Sequence, residues 1–451
     1  LWQHQARFRL SSDAENRDPN TMENASPALT PPSSGAEKNY AGALAILTSL
    51  FFMWGFVTVL NDIISPHLQS IFDLNYKKAS LVQFAFFFAY FIFSIPATKL
   101  INKVGYKSSI VFGLLTMGLG AFCFLPAASA ASYTFFLCAL VVLAAGVTVL
   151  QVAANPYVAV LGPPKTASSR LNLTQAFNSL GTTIGPWIGG MFILSAAPKT
   201  PDELKSLSAQ ALQAYKVQQA SSVKLPYIVI GLLLVALAIA IHFLHLPAVP
   251  EAQKKGKVEG SVWKYPHLVL GVLGIFAYVG AEVAIGTFLI KYFHLPEIGN
   301  LPELAGAKLV AYYWGGAMIG RFLGSAILQK AKSGTVLGIA AFCAIALVIT
   351  SMLTTGHLAM GSIILVGFFN SIMFPSIFTL GIANLGPLTG EGSGLLIMAI
   401  VGGAVIPLLF GVLADMPSIG LHHAFLLPAI CYLYIAFYGF RGSKVAESQV
   451  A

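Results

Sequence analysis

The chain has 451 residues, 56% of them hydrophobic and only 10% charged, with a mean hydropathy of +0.76. Soluble globular domains carry about 25% charged residues, so the composition excludes that class and favours an all-α integral membrane protein. The net charge of +9 does not indicate a nucleic-acid surface, because the basic residues fall between apolar runs, where membrane proteins keep them.

Residues 1–39 are polar, rich in Pro and Ser ("SPALTPPSSGAEK"), and lack an apolar h-region. They read as a disordered tail and not as a signal peptide. The first residue is Leu1, and Met22 is an alternative start. Twelve apolar windows of spanning length follow. The first six cover about 41–66, 79–101, 108–128, 132–160, 170–195 and 224–246; the second six cover about 265–292, 305–329, 334–355, 358–385, 391–414 and 420–440.

The charged, Pro- and Gly-punctuated segment "PAVPEAQKKGKVEGSVWKYP" divides them six and six. The expected organisation is a tail at 1–39, a six-helix half at 40–246, a cytoplasmic linker at 247–264, a second half at 265–441 and a tail at 442–451. In the loop 196–223, Thr200, Pro201 and Glu203 have the spacing of a capping box, which predicts a short helix outside the membrane.

The Lys and Arg distribution predicts orientation. With the N-terminus in the cytoplasm, Lys99, Lys103, Lys107, Lys165, Arg170, Lys254, Lys255, Lys257, Lys264, Arg321, Lys330, Lys332, Arg441 and Lys444 fall inside. Fewer fall outside: Lys77, Lys78, Lys291 and Lys308, with Lys199, Lys205, Lys216 and Lys224 around the long loop. Both termini are then cytoplasmic.

The halves echo each other. "GTTIGPWIGG" (Gly181–Gly190) and "GGAVIPLLFG" (Gly402–Gly411) both read G-x4-P-x3-G, in the fifth and eleventh spans. "NPYVAVLGPP" and "FPSIFTLGIANLGP" correspond more loosely in the fourth and tenth. Matches at the same ordinal position point to a parallel repeat with a site between the halves.

Polar residues inside these spans carry the chemistry. An ionised side chain at membrane depth costs about 2.5–3.5 kcal/mol on insertion scales, yet Asp62 sits in the first span and Glu282 in the seventh. Thr58, Asn61, Asp62 and Ser65 share one helical face, continued by Trp54. Thr148, Gln151 and Asn155 line the fourth span; Gln175, Asn178 and Thr182 line the fifth; Asn370 and Ser371 lie in the tenth. A single such residue more often bonds a neighbouring helix, but full stripes on several helices predict a wet cavity.

Amides suit a polyhydroxylated ligand because they offer donors and an acceptor. Asp62 and Glu282 are candidate cation sites, a basic partner being scarce within the spans. "AYYWGG" at 311–316 reads either as a sugar-stacking platform or as an interface anchor. No HExxH, GxSxG, P-loop or GxGxxG motif has its required context, so a non-enzyme is expected. The four cysteines lie in apolar runs without metal or disulfide spacing.

At "LNDIISPHLQ", "LQVAANPYVAVLGP", "RLNLTQAFNSLGTTIGP" and "SIMFPSIFTLGIANLG" the sequence resembles the fucose–proton symporter family of the major facilitator superfamily. Within it, the sequence is most similar to the bacterial glucose/galactose transporter branch. The resemblance runs from about 40 to 440. It implies twelve helices, alternating access and cation-driven import of a monosaccharide across the bacterial inner membrane. It also implies that Asp62 is the coupling carboxylate, and that Gln175 and Asn178 are the cavity amides.

Where fucose members carry a glutamate, this chain has Gln151; where they carry an amide in "VGAQ", it has Glu282. These departures favour glucose or galactose and leave H⁺ and Na⁺ open as coupling ion, with Na⁺ placed near Asp62 or Glu282. The expected substrate contacts are Asn61, Gln151, Asn155, Gln175, Asn178 and Asn370. No cofactor, nucleic acid or obligate protein partner is expected beyond sugar, ion and lipid. The alternatives are a symporter of L-fucose or another sugar, a facilitator exporter, and a membrane enzyme or receptor.

Overall fold

In hydrocarbon every backbone N–H and C=O must be satisfied internally, and the apolar runs of this chain are helical almost throughout. The computed structural model describes residues 34–72, 76–193, 206–244, 246–247 and 260–445. The N-terminal helices are α1 (Ser34–Phe72), α2 (Tyr76–Ser129), α3 (Tyr133–Val160), α4 (Ala167–Ile193), α5 (Ala209–Ser221) and α6 (Lys224–Phe243). The C-terminal set comprises α7 (Pro266–His294), α8 (Glu303–Ile327), α9 (Ser333–Leu353), α10 (Gly356–Asn370), α11 (Met373–Gly381), α12 (Thr389–Met398), α13 (Gly402–Asp415), α14 (Gly420–Ala424) and α15 (Leu426–Phe437).

Several boundaries differ from the sequence expectation. α1 begins at Ser34, inside the expected tail, since "SGAEKNY" consists largely of helix-tolerant residues. The second and third spans form one 54-residue element, broken only at Gly105, where φ is 83° and ψ 173°. Only glycine adopts that conformation readily, so the chain turns there without a loop. The tenth span breaks between Asn370 and Met373, and a 3-10 turn at Ala399–Val401 interrupts the eleventh. The capping box at Thr200–Glu203 lies outside the described residues; the helix described nearby is α5, capped by Ser208, whose hydroxyl accepts from the Ala211 N–H.

Among the described residues, nine helical stretches are long and apolar enough to cross a membrane, one of them being the 48-residue run that contains the Gly105 break. α4 and α8 are not among them, because polar residues lower their hydropathy. At 27 and 25 residues, they still extend about 40 and 37 Å at 1.5 Å per residue, more than the roughly 30 Å hydrocarbon core.

The repeated glycine motif has a common packing role. Gly181 of α4 lies against the Phe52 carbonyl of α1, and Gly402, at the start of α13, against the Phe276 carbonyl of α7. A Cβ at either position would overlap the facing backbone, so small residues set both close approaches. α2 packs on α3 and α6, and α8 and α9 pack on α10.

The two sets meet along α4 with α8 and α11, and along α12 with α2 and α3. The cross-set bonds gather toward the end that carries the loops 161–166 and 383–388. Ser168 and Thr379 share a hydroxyl hydrogen bond of 2.5 Å. The Ser169 hydroxyl donates to the Ser325 carbonyl (2.7 Å), the Ser325 hydroxyl to the Ser169 carbonyl (3.2 Å), and Ser393 to the Val152 carbonyl (2.8 Å).

Candidate functional site: a polar seam between two helix sets

The residues expected to line a cavity fall into distinct environments. Asn61 and Asp62 lie on the helical backbone of α1; their side chains are outside the described residues. Thr58, one turn earlier, donates to the Gly55 carbonyl (3.0 Å), and Trp54 is buried against Phe51.

On α3, Gln151 is buried and its Nε2 donates to the Tyr90 hydroxyl of α2 at 2.7 Å. One turn on, Asn155 is fully buried, and neither Oδ1 nor Nδ2 has a partner. Such an orphaned amide is costly in a packed interior.

On α4, Asn178 donates to the Phe51 carbonyl of α1 at 3.0 Å. Its amide therefore joins two helices. Gln175 is buried on the α4 face that carries Asn172, Ser179 and Thr183. That face meets α8, where Asn172 Nδ2 donates to the Arg321 carbonyl (2.6 Å) and Thr183 approaches Met318 Sδ at 3.5 Å.

The C-terminal set contributes a polar cluster. Asn370, at the C-terminal end of α10 where the tenth span breaks, donates Nδ2 to the Tyr313 hydroxyl at 2.8 Å. The Tyr278 hydroxyl faces the Glu282 carboxylate one turn along α7, and Tyr432 of α15 borders the same group. The Tyr278 hydroxyl lies within reach of the Glu282 carboxylate and the Tyr432 hydroxyl within reach of the Asn370 amide, while Arg321 Nε is buried without a hydrogen-bond partner.

Arg321 corrects two expectations. The charge distribution counts it among the cytoplasmic loop residues, and basic partners are expected to be scarce within the spans, yet Arg321 lies within α8, with Nη2 3.9 Å from Glu282 Oε1. Both side chains are largely buried, at 14% and 12% exposure. Nη1 also donates to the Ser179 hydroxyl of α4. Glu282 thus has a basic neighbour on the adjoining helix. The signal for it was present: Arg321 falls eight residues inside the window 305–329, about 12 Å of helix from its end.

The aromatic run at 311–316 does not form one platform. Tyr313 is fully buried, whereas Tyr312 and Trp314 are exposed at 67% and 43%, as the 100° step between helical neighbours dictates. Sequence reasoning also missed Tyr90, Asn172, Ser179 and Tyr432. Their neighbours are remote in sequence, and an isolated polar side chain gives no pattern. Among the described residues, no cluster of three or more His, Cys, Asp or Glu side chains could hold a metal ion.

Residues 43–407 match the Major Facilitator Superfamily. The chain belongs to that superfamily. This facilitator is 52% identical over 413 residues to a glucose/galactose transporter of Brucella abortus, covering 91% of this chain and 96% of that one. It is 37% identical to the L-fucose-proton symporter of Escherichia coli K12, over 92% and 96% of the two chains. Its fold matches the crystal structure of the fucose transporter in the outward conformation, with a TM-score of 0.84 at 36% identity, covering 90% of this chain and all of that one. It is thus a multi-pass membrane transporter of an all-helical facilitator fold.

Proposed function

We propose that this facilitator is a proton-coupled symporter that imports a monosaccharide, glucose or galactose, by alternating access. The observation that carries the reading is the 52% identity, sustained over nearly the full length, to a glucose/galactose transporter. The similarity to L-fucose-proton symporters favours H⁺ over Na⁺ as the coupling ion.

In this reading the chain crosses a bacterial inner membrane twelve times, in halves of 40–246 and 265–441, with both termini cytoplasmic. The end where Ser168, Ser169 and Ser393 bond across the two sets is then the cytoplasmic end. A seam closed there leaves the opposite end to admit sugar, in keeping with the likeness to an outward conformation. Rocking of the halves breaks these bonds and opens the site inward.

Asn61, Gln151, Asn155, Gln175 and Asn370 present amides to the sugar hydroxyls, and Asn155 has both amide atoms free to do so. Asp62 takes up the coupling proton. Loading it cancels a charge that opposes closing the cavity, and gives the ion the differential effect on two states that coupling requires. Asn178, tied to Phe51, sets the α1–α4 contact that carries Asp62.

Labelled-sugar uptake by proteoliposomes, with H⁺ and Na⁺ gradients imposed separately, tests the proposal. Accumulation should follow the H⁺ gradient, and glucose or galactose should compete better than L-fucose. Accumulation driven only by Na⁺ would replace the ion, fucose outcompeting both hexoses would replace the sugar, and extrusion would replace import with export.

A further inference from the structure

Arg321 stands on the seam. Its own carbonyl accepts from Asn172 of α4, one turn later Ser325 and Ser169 bond reciprocally, and the neighbouring Phe322 packs edge-on against Phe177 at 5.7 Å. Its side chain reaches partners in both sets, Glu282 on α7 and Ser179 on α4.

The Glu282 contact is only partly made. At 3.9 Å the charges attract, but the separation exceeds the 2.7–2.9 Å of a formed arginine–carboxylate hydrogen bond. Arg321 Nε is buried without a hydrogen-bond partner. A shift of about 1 Å toward Glu282 would form that bond while Nη1 stays within reach of Ser179, so the guanidinium can bridge both partners while the seam is closed. Separation of the two sets breaks the Ser179 bond and leaves the guanidinium with Glu282 on its own set, which gives the two arrangements a switching element requires.

We propose that Arg321 is a positioning residue that latches the two sets together, passing from Ser179 to Glu282 when the seam opens, with Glu282 as its standing counter-ion and not as a seat for the coupling cation. Arginine does not deprotonate in proteins. A cation bound at Glu282 would leave Arg321 unpaired inside the membrane, a heavily penalised state. The pair therefore stays neutral as a unit through the cycle, and coupling is left to Asp62. This inference rests on the reading of the chain as a sugar symporter.

The test uses the full chain in proteoliposomes, comparing wild type with E282Q, R321Q, E282Q/R321Q and S179A. Each single charge variant should fall by about tenfold or more in uptake, because a buried charge is left alone. The double variant, neutral again, should exceed either single by about fivefold, as residues in contact couple, and should concentrate sugar against its gradient. A double variant that exchanges labelled sugar across the membrane without concentrating it would overturn the proposal, because Glu282 would then carry the coupling cation. Singles indistinguishable from wild type would overturn it too.

S179A guards against a double variant that fails to fold. It keeps all charges, and should change the sugar exchange rate by about fivefold while equilibrium sugar affinity stays within about twofold, a split between motion and binding. An unchanged exchange rate would overturn the latch. Wild-type protein that moves no sugar would fail the symporter reading instead, and that control is read first.

Discussion

Asn178 donates its amide to the backbone carbonyl of Phe51, 3.0 Å away across the α1–α4 contact. One turn back on α4, Gln175 is buried on the face toward α8. Asn178→Ala should therefore lower thermal stability by about 0.5–1.5 kcal/mol, the net worth of one such bond. Gln175→Ala should weaken sugar binding with little change in melting temperature. Melting and sugar binding in detergent, measured on both variants, check the assignment; equal loss of affinity would place both amides on the sugar.

Asn155 predicts an opposite pairing of effects. Its amide is fully buried with both polar atoms unpaired, so Asn155→Leu should stabilise the empty protein by about 1 kcal/mol or more, the cost of an unsatisfied buried group being relieved. Sugar affinity should fall. A destabilised variant with normal affinity would mean that the amide serves packing.

Asp62→Asn should abolish accumulation against a gradient while sugar exchange continues, because the amide cannot take up and release the proton. Wild-type accumulation by this variant, measured with labelled sugar, would move the coupling site elsewhere.

Arg170 closes the end of α3. Its guanidinium donates to the carbonyls of Val158 (3.3 Å), Ala159 (2.6 Å) and Pro163 (3.0 Å), and to the Thr166 hydroxyl (2.6 Å). Hydrogen bonds to a charged donor are worth about 1.5–3 kcal/mol, so Arg170→Ala should lower the melting temperature clearly. Arg170→Lys should recover little, since an ammonium cannot span these acceptors as a planar fork does.

Gly181 and Gly402 should fail alike. Valine at either site would collide with the carbonyl of Phe52 or Phe276 and pry α4 from α1 or α13 from α7. Both variants should express poorly or melt early, whereas Gly315→Ala, with open space around the added methyl, should not. Thermal melts of the three compare them directly.

The helical, membrane-spanning character of the chain was legible because hydrocarbon length and helical rise constrain it independently of partners. The α4 polar stripe was legible too, but not its division of labour. Sequence marks Gln175 and Asn178 as equivalent amides, and only their rotation about the helix axis sends one to a backbone carbonyl. Arg321 was misplaced because long basic side chains near a helix end ordinarily reach for the interface. That rule fails when a carboxylate waits on the adjoining helix, and Glu282 lies 39 positions away in the chain. The Gly105 turn escaped notice because a loop was expected where one residue sufficed.

The bonds of Ser168, Ser169, Ser325 and Ser393 across the seam are all between uncharged groups. Exchanging each for a bond to water changes little free energy, so the seam can unzip group by group with solvent following. Ionic strength, which weakens exposed charge pairs, therefore acts little on these four bonds, and the charged contact of the seam, Arg321 with Ser179, is largely buried.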